Sequence, residues 1–471
     1  MSEEGGLRLA FYGDDFTGST DALEVLALAG LRCALFLQPP TPELLARLPP
    51  LDALGVAGDS RAMSPAEMDV ALPPVFRVLA ALDVPLIHYK VCSTFDSAPG
   101  IGSIGRAIEI GRREISDRPV PIVAGTTTLA RFCVFGTLFA RSATDDQVHR
   151  IDRHPIMSRH PVTPMTEGDL ALHLARQAAL SIGKLTCPTL DKGVEATMAE
   201  QRRLEEAGAD AVLFDTLTEE HLGTIGQVLS CHRAGGPLFV VGGSGVEYAL
   251  THALRQRGTS AARPAGGFAP VERLLVVSGS ASALSAAQID HAIRSGFASV
   301  PVDAAALVAH GDWQQAASAL AAQTVGLLNE GRSVILHTAR GPDDPRIGTM
   351  LDALVQQGQS RDHARHAGGR ELGIRLGGVV RDILRQVPLP RLILAGGDTS
   401  SQVTKALAPD ALEMSARLAT GAPLCRTLSF DGSRPPMEIA LKGGQAGEAG
   451  LYTLGLRGSA VAQEPPNGVA A

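Results

Sequence analysis

The stretch LRLAFYGDDFTGSTDALEVLALAG, residues 7–30, decides how the rest of the chain is read. A short apolar run over 7–13 stops at Gly13. Two adjacent carboxylates, Asp14 and Asp15, follow, and beyond Gly18 the apolar residues recur at helical spacing. Strand, tight turn and helix in that order make the repeating unit of a parallel α/β fold. Thr17 or Ser19 is placed to cap the helix and Asp21 suits its first turn. A cap needs only one short polar side chain, whereas two neighbouring carboxylates repel each other unless a hydroxyl, a cation or a metal compensates. The pair is therefore a candidate functional carboxylate site, as acceptor for a substrate hydroxyl or as general base, set against a plain turn-forming role for Asp14.

The same unit recurs along the chain. Apolar runs at 32–37, 51–57, 85–91, 120–125, 210–215 and 237–245 alternate with segments of helical periodicity such as 64–82, 99–114 and 246–256. The stretch GTSAARPAGGFAPVE, residues 258–272, is small, rich in Pro and Gly and without period, as expected of a linker. A second set of strands follows at 273–282, 299–303, 333–338, 391–400 and 437–444, with helices at 312–329 and 370–386. The expectation is an α/β protein of two domains with mainly parallel sheets: an N-terminal domain over 1–257, the linker, a C-terminal domain over 273–457, and a small polar tail from 458 to 471 without order. Residues 126–165 suit neither element and are expected to form a long functional loop or a small insertion.

Bulk properties narrow the partner. With 471 residues the chain exceeds what one hydrophobic core usually organises. A net charge of −7 with no basic stripe argues against a nucleic-acid partner. The six cysteines show no metal-ligand spacing and read as reduced thiols. No signal peptide opens the sequence and no apolar stretch is long enough to span a bilayer. A cytoplasmic protein with a small-molecule ligand, no nucleic acid and no membrane partner is expected.

In parallel sheets ligands bind at the carboxyl ends of strands, so the turns there carry the chemistry. Arg61, in VAGDSRAM (56–63), is either a surface arginine or a clamp holding a carboxylate through two parallel hydrogen bonds. HYKVCSTFDSAPGIGSIG (88–105) supplies Lys90, Ser93 and Thr94, and it contains a literal G-x-G-x-x-G at 100–105. A dinucleotide fingerprint needs its first glycine directly after the strand, and here several residues intervene. RIDRHPIMSRHPVTPM (150–165) concentrates Arg150, Arg153, His154, Arg159 and His160, either as a solvated loop or as an anion pocket or lid. In the C-terminal half, SGSAS (278–282), AGGDTS (395–400) and LKGGQAG (441–447) each end an apolar strand. Three glycine-rich turns opening toward helix N-termini predict a cradle for nucleotide phosphates, and no G-x-x-x-x-G-K-[ST] motif is present.

Taken together, the strand-GDDFTGSTD-helix opening, the Lys-x-x-Ser-Thr stretch at 90–94, GGDTS at 396–400 and KGG-x-x-G at 442–447 resemble the four-carbon acid sugar kinases, over about residues 8–457. The resemblance implies a two-domain ATP-dependent kinase that phosphorylates the terminal hydroxyl of threonate, erythronate or an oxo-tetronate to the 4-phosphate. It implies that the N-terminal domain holds the acid sugar and the C-terminal domain holds ATP, with the active site in the cleft between them, and it leaves room for a homodimer. Transferred to this sequence, it makes Asp15 and Asp14 catalytic and assigns substrate binding to Asp14, Arg61, Lys90, Ser93 and Thr94, with Arg159 added from the basic segment. The nucleotide falls to Ser278, Gly396, Gly397, Asp398, Thr399, Gly443 and Gly444. Mg²⁺ would arrive with ATP, near Asp398 and without direct protein ligands. One departure stands out: many members read Lys-[Ile/Val]-Asp-Ser-Thr-Leu-Arg-Gly where this chain has Lys90-Val91-Cys92-Ser93-Thr94-Phe95-Asp96-Ser97. Cys92 and Asp96 change the charge around the acid sugar, and the basic 150–160 segment would then supply a clamp from elsewhere. The rival readings are an NAD-dependent hydroxy-acid dehydrogenase and a non-catalytic sugar-acid-binding module.

Overall fold

A computed structural model describes residues 6–459 except 143–144, 161, 232–235, 261–265, 309–310, 312 and 433, and except the side chains at 362–363 and 365–367. The chain divides into two compact units, residues 1–262 and 263–471.

In the first unit the strands are β1 (Leu9–Gly13), β2 (Cys33–Phe36), β3 (Ala53–Ala57), β4 (Leu86–Lys90), β5 (Val120–Val123), β6 (Arg131–Val134), β7 (Thr137–Arg141), β8 (Val148–Arg150), β9 (Ile182–Leu185), β10 (Ala211–Phe214) and β11 (Leu238–Gly242). Among the described residues the main sheet runs β2-β3-β1-β4-β11-β5-β10-β9, every neighbour parallel. Its central strands are buried along their whole length, which is why they read as near-continuous apolar runs. Gly13 lies opposite both Ala57 and Lys90, and Gly242 lies opposite Lys90. The turns after β1, β3, β4 and β11 therefore open on one edge, where a ligand would meet all four.

Residues 126–165 hold a small antiparallel sheet, β6-β7-β8. Its first hairpin turns at Phe135 and Gly136, both with positive φ (50° and 75°), the geometry whose twist matches antiparallel strands. Asp215, just past β10, fixes that turn by accepting from the Phe135 N–H at 2.7 Å and the Gly136 N–H at 2.8 Å.

The second unit contains β12 (Leu275–Ser278), β13 (Ala298–Pro301), β14 (Val334–His337), β15 (Arg391–Ala395), β16 (Ala411–Ala419), β17 (Ala422–Leu428) and β18 (Glu438–Lys442). They run β13-β14-β12-β15-β18-β17-β16 among the described residues. The first five are parallel, while β16 and β17 form an antiparallel hairpin laid on β18. The helix expected at 370–386 is longer, Arg361–Gln386. Phe268, Leu274, Ile289, Ile393, Leu424 and Tyr452 belong to this unit's core.

Of the expected linker 258–272, residues 261–265 lie outside the described residues. Phe268, on its C-terminal side, exchanges backbone hydrogen bonds with Ser459 at 3.1 and 3.0 Å and packs into the core of the second unit. Of the expected tail, 460–471 lies outside the described residues. Among the described residues no helix is long and apolar enough to cross a membrane.

Candidate functional site

Asp14 is bolted to the end of β4 and to the turn that follows β3. Its N–H donates to the Lys90 carbonyl at 2.8 Å and its carbonyl accepts from the Arg61 N–H at 3.1 Å. Asp15 then caps the helix Phe16–Leu28, accepting from the Gly18 N–H at 2.5 Å. The cap expected from Thr17 or Ser19 is corrected by this bond: Asp15 is the last residue with extended backbone, and the Ser19 hydroxyl instead donates back to the Asp15 carbonyl at 2.6 Å. The other Asp15 oxygen accepts from Arg61 Nη1 at 2.9 Å. Arg61 is held in place by its own turn, where buried Ser60 hydrogen-bonds the Tyr89 hydroxyl at 2.9 Å.

The second Arg61 nitrogen, Nη2, donates to Asp96 Oδ2 at 2.5 Å. Asp96 is buried and also accepts from the Thr94 hydroxyl at 2.6 Å and the Thr163 hydroxyl at 3.2 Å. Phe95 between them is buried in the left-handed region, φ 53°, a strained conformation for an aromatic residue that turns the Asp96 carboxylate back toward Thr94 and Arg61. The guanidinium expected to clamp a substrate carboxylate thus spends its two outer nitrogens on carboxylates of the chain itself.

Lys90 ends β4 with its side chain buried; its Nζ donates to the Val91 carbonyl at 2.9 Å and lies 3.9 Å from Asp21 Oδ2. In the same strand His88 is wholly buried and meets the equally buried Glu247, from the helix Gly245–Gln256, at 2.6 Å, and His88 Nε2 lies 3.1 Å from the Gly242 carbonyl. Ser93 follows in the turn and backs onto Gly243, where an added Cβ would stand 3.4 Å from the Ser93 Cα.

The electrostatics separate Asp14 from Asp96. Burial, and then the charge of Asp15, push Asp14 above the ordinary carboxylate range, against the opposing pull of Arg61 and Lys90. Burial acts on Asp96 in the same sense, but the Arg61 guanidinium and the Thr94 hydroxyl outweigh it and hold Asp96 low. One Asp14 oxygen, Oδ1, is buried without a hydrogen-bond partner. A carboxylate with an unused oxygen and a raised pKa is suited to accept a proton from an incoming hydroxyl.

The basic segment is mostly consumed internally. Arg150 pairs with Asp152 through two contacts of 2.6 Å, and Arg153 stands 3.8 Å from the same carboxylate. Arg159 is exposed and pairs with none of the described carboxylates. What reaches the aspartate cluster from this segment is Thr163, whose N–H donates to His160 Nδ1 at 3.1 Å. Sequence reasoning missed Thr163, and it read Asp96 only as a change of charge. A Thr two residues before an Asp that it hydrogen-bonds was a usable local signal for the Thr94–Asp96 contact; Thr163 had none.

In the second unit the three glycine-rich turns meet. Ser278 is the buried last residue of β12, and the Gly279 N–H donates to the Ala395 carbonyl at 2.8 Å. The Gly396 N–H donates to the Lys442 carbonyl at 3.0 Å. Any Cβ on Gly279 would collide with the Thr399 hydroxyl, and one on Gly396 would stand 3.0 Å from the Ser280 nitrogen. Gly396 takes φ 105°, which only glycine adopts without strain. From the third turn, following Gly443, the Gly444 carbonyl accepts from the Ser282 hydroxyl at 2.6 Å. Gly397 begins the helix Gly397–Leu407, whose start has no side-chain cap, so its first N–H groups fit the oxygens of a phosphate. Asp398 is exposed in that first turn, with a Cβ position on Gly369 2.8 Å from its Oδ2. Among the described residues no group of three or more His, Cys, Asp and Glu side chains could hold a metal ion. Asp398 lies in the first turn of the helix that opens from these glycine-rich turns.

The G-x-G-x-x-G at 100–105 does not form a dinucleotide turn. β4 ends at Lys90, the next helix begins only at Ile104, and Gly102 (φ 58°) packs instead against the Arg61 backbone.

Two family models match the chain, one in each unit. Residues 9–250 match a family described as a sugar-binding N-terminal domain, and residues 275–451 match one described as a nucleotide-binding C-terminal domain. The chain is 45% identical over 450 residues to the 3-oxo-isoapionate kinase of Paraburkholderia graminis, covering 95% of this chain and 94% of that one. It is 30% identical over 454 residues to a 3-oxo-tetronate kinase of Methylobacterium radiotolerans, covering 95% and 98%. Among solved structures, a Salmonella typhimurium LT2 protein described as a tRNA synthase matches at a TM-score of 0.74 with 25% identity, over 96% of this chain and 99% of that one. A Haemophilus influenzae protein shares the fold at a TM-score of 0.66 with 22% identity, over 94% and 98%.

Proposed function

We propose, for a chain that belongs to the four-carbon acid sugar kinase family and is an ATP-dependent carbohydrate kinase, that it phosphorylates the terminal hydroxyl of a 3-oxo four-carbon sugar acid to give the 4-phosphate. The observation that carries the reading is Asp14: a buried carboxylate with one unused oxygen at the strand-end edge of the sugar-binding unit. The names of the two relatives, both kinases of 3-oxo acids, support the choice of an oxo acid over a plain tetronate.

In this mechanism Asp14 takes the proton of the attacking hydroxyl. That oxygen forms its bond to the γ-phosphorus while the bond to the β–γ bridging oxygen breaks, and ADP leaves with the electron pair. Asp15 cannot serve equally well, since both its oxygens are engaged, one by the helix cap and one by Arg61. Its task is to hold Arg61 in register, and with Thr94 and Ser93 to orient the polyol. Lys90, next to Asp14 in the backbone ladder, supplies positive charge beneath the reacting oxygens. Gly396, Gly397, Thr399, Gly443 and Gly444 hold the donor phosphates, and bound Mg²⁺ would neutralise charge on the transferring group.

The test is an ADP-release screen with Mg²⁺ over threonate, erythronate, 3-oxo-tetronate and 3-oxo-isoapionate, with the phosphate position in the product read by ³¹P–¹H correlation NMR. Turnover confined to the oxo acids with a 4-phosphate product is expected. ATP binding with no ADP release from any of the four would leave the non-catalytic module as the better reading, and phosphate at another position would refute the assignment of the terminal hydroxyl.

A further inference from the structure

Two lysines end buried strands on the ligand side of their sheets, Lys90 on β4 and Lys442 on β18. Lys90 has a carboxylate within 3.9 Å. Lys442 is wholly buried, its Nζ donates to the Ser285 hydroxyl at 3.2 Å, and among the described residues no carboxylate pairs with it. Burial alone draws its pKa down to about 8.

The surroundings are neutral from every side. The helix Ala283–Arg294 presents Ser285 and its capping Ser282; the turn after β18 presents the Gly444 carbonyl, already taken by Ser282; the turn after β15 presents the Gly396 N–H, bonded to the Lys442 carbonyl. No charged side chain acts on the ammonium from these elements. A buried cation among hydroxyls, close to the positive end of a helix, is unfavourable unless an anion compensates it. A purely structural role at this position would be served better by an apolar side chain of the same length. One further polar group around the same turns is also unsatisfied: the Ser400 hydroxyl is wholly buried without a hydrogen-bond partner.

We propose that Lys442 is a phosphate-binding residue of the donor site, its ammonium meeting the phosphate oxygens of ATP where the three glycine-rich turns converge. The proposal rests on the kinase reading above, and it adds a residue that the glycines of that turn had obscured. In the free protein the lysine is held in an unfavourable place, and nucleotide binding restores its full charge by supplying the anion.

The experiment is titration calorimetry of ADP and of a non-hydrolysable ATP analogue, each with Mg²⁺, at about pH 8.5, near the lowered lysine value, in two buffers of different ionisation enthalpy. Wild type is expected to take up a large fraction of a proton on binding. Lys442→Met is expected to bind about 10- to 100-fold more weakly, the worth of a charge-assisted contact, and to take up none. The nucleotide-free variant is expected to melt above wild type, whereas loss of a merely structural lysine would lower the melting temperature. Equal affinity in the variant, or no proton uptake by wild type, overturns the proposal. If the variant does not fold, the wild-type buffer comparison alone decides. Failure of the kinase reading looks different: wild type would then release no ADP with any acid, whatever the result at Lys442.

Discussion

Asp14 is where chemistry and stability pull apart. Its pKa is raised in the folded chain, so between the ordinary value of 3.8 and that raised value the native state binds more protons than the unfolded chain. Stability from this group is full below the ordinary value and falls as pH rises through the raised one. Asp14→Asn should therefore raise the melting temperature at neutral pH while lowering kcat by about 10²–10⁴-fold with nucleotide affinity intact. The same shift puts the acidic limb of the wild-type pH–rate profile well above the ordinary carboxylate range, with activity rising as Asp14 ionises. A limb at the ordinary value would show that another group is the base. Asp15 should behave differently. Asp15→Asn keeps the helix cap and loses the Arg61 ion pair, whereas Asp15→Ala loses both and should cost about 1 kcal/mol more in urea unfolding. Which aspartate has which task was not legible in GDDFTG, because the answer lies in partners 46 residues away at Arg61. Lys442 stands in the KGG-x-x-G motif, but a sequence shows only that a lysine ends a strand, not that nothing charged surrounds it.

Among the elements, those buried on both faces were readable and those with one wet face were not. The strands of the parallel cores are near-continuous apolar runs, and their turns announce themselves by Gly, Ser and Asp. The β16–β17 hairpin mixes buried positions with half-buried and exposed ones, has Gly421 at its turn, and gives no strand signal in the sequence reading. The β6–β8 sheet is legible only as a loop or small insertion at 126–165, because its strands are short and its anchor, Asp215, comes from far along the chain. The turn at Gly279 offers the sharpest test at this scale. Gly279→Ala would force its Cβ against Thr399, and overpacking of this kind costs about 1–3 kcal/mol. The expected result is a lower melting temperature together with loss of the upward shift that ADP gives to wild type. An unchanged ADP shift would place the nucleotide away from these turns.

For the whole molecule, the two family matches, over residues 9–250 and 275–451, fall one in each compact unit. Ligands stabilise what they bind in the native state, by an amount set by concentration over Kd. Calorimetric unfolding should accordingly show two transitions, one raised by ADP alone and the other by the sugar acid alone. A single transition shifted equally by both would mean that the units unfold as one. The two-domain plan itself was legible, since strand-turn-helix periodicity stops and restarts around the aperiodic stretch at 258–272.

The order of strands in the first unit also has a bearing on how the protein is made. β11, the last strand of its sheet in the sequence, inserts between β4 and β5 rather than adding at an edge. A ribosome that has released the first 200 residues has delivered Asp14, Arg61, Lys90 and Asp96, but the sheet beside Lys90 still lacks its neighbour and His88 lacks both Gly242 and Glu247. Nascent chains must wait for residue 242 before the centre of the sheet can close, a long delay during which unpaired strand edges are exposed to other chains. Chains that end before residue 242 leave the β4 and β5 edges without β11 between them, and slowing synthesis just after β11 is expected to raise the soluble yield of folded kinase.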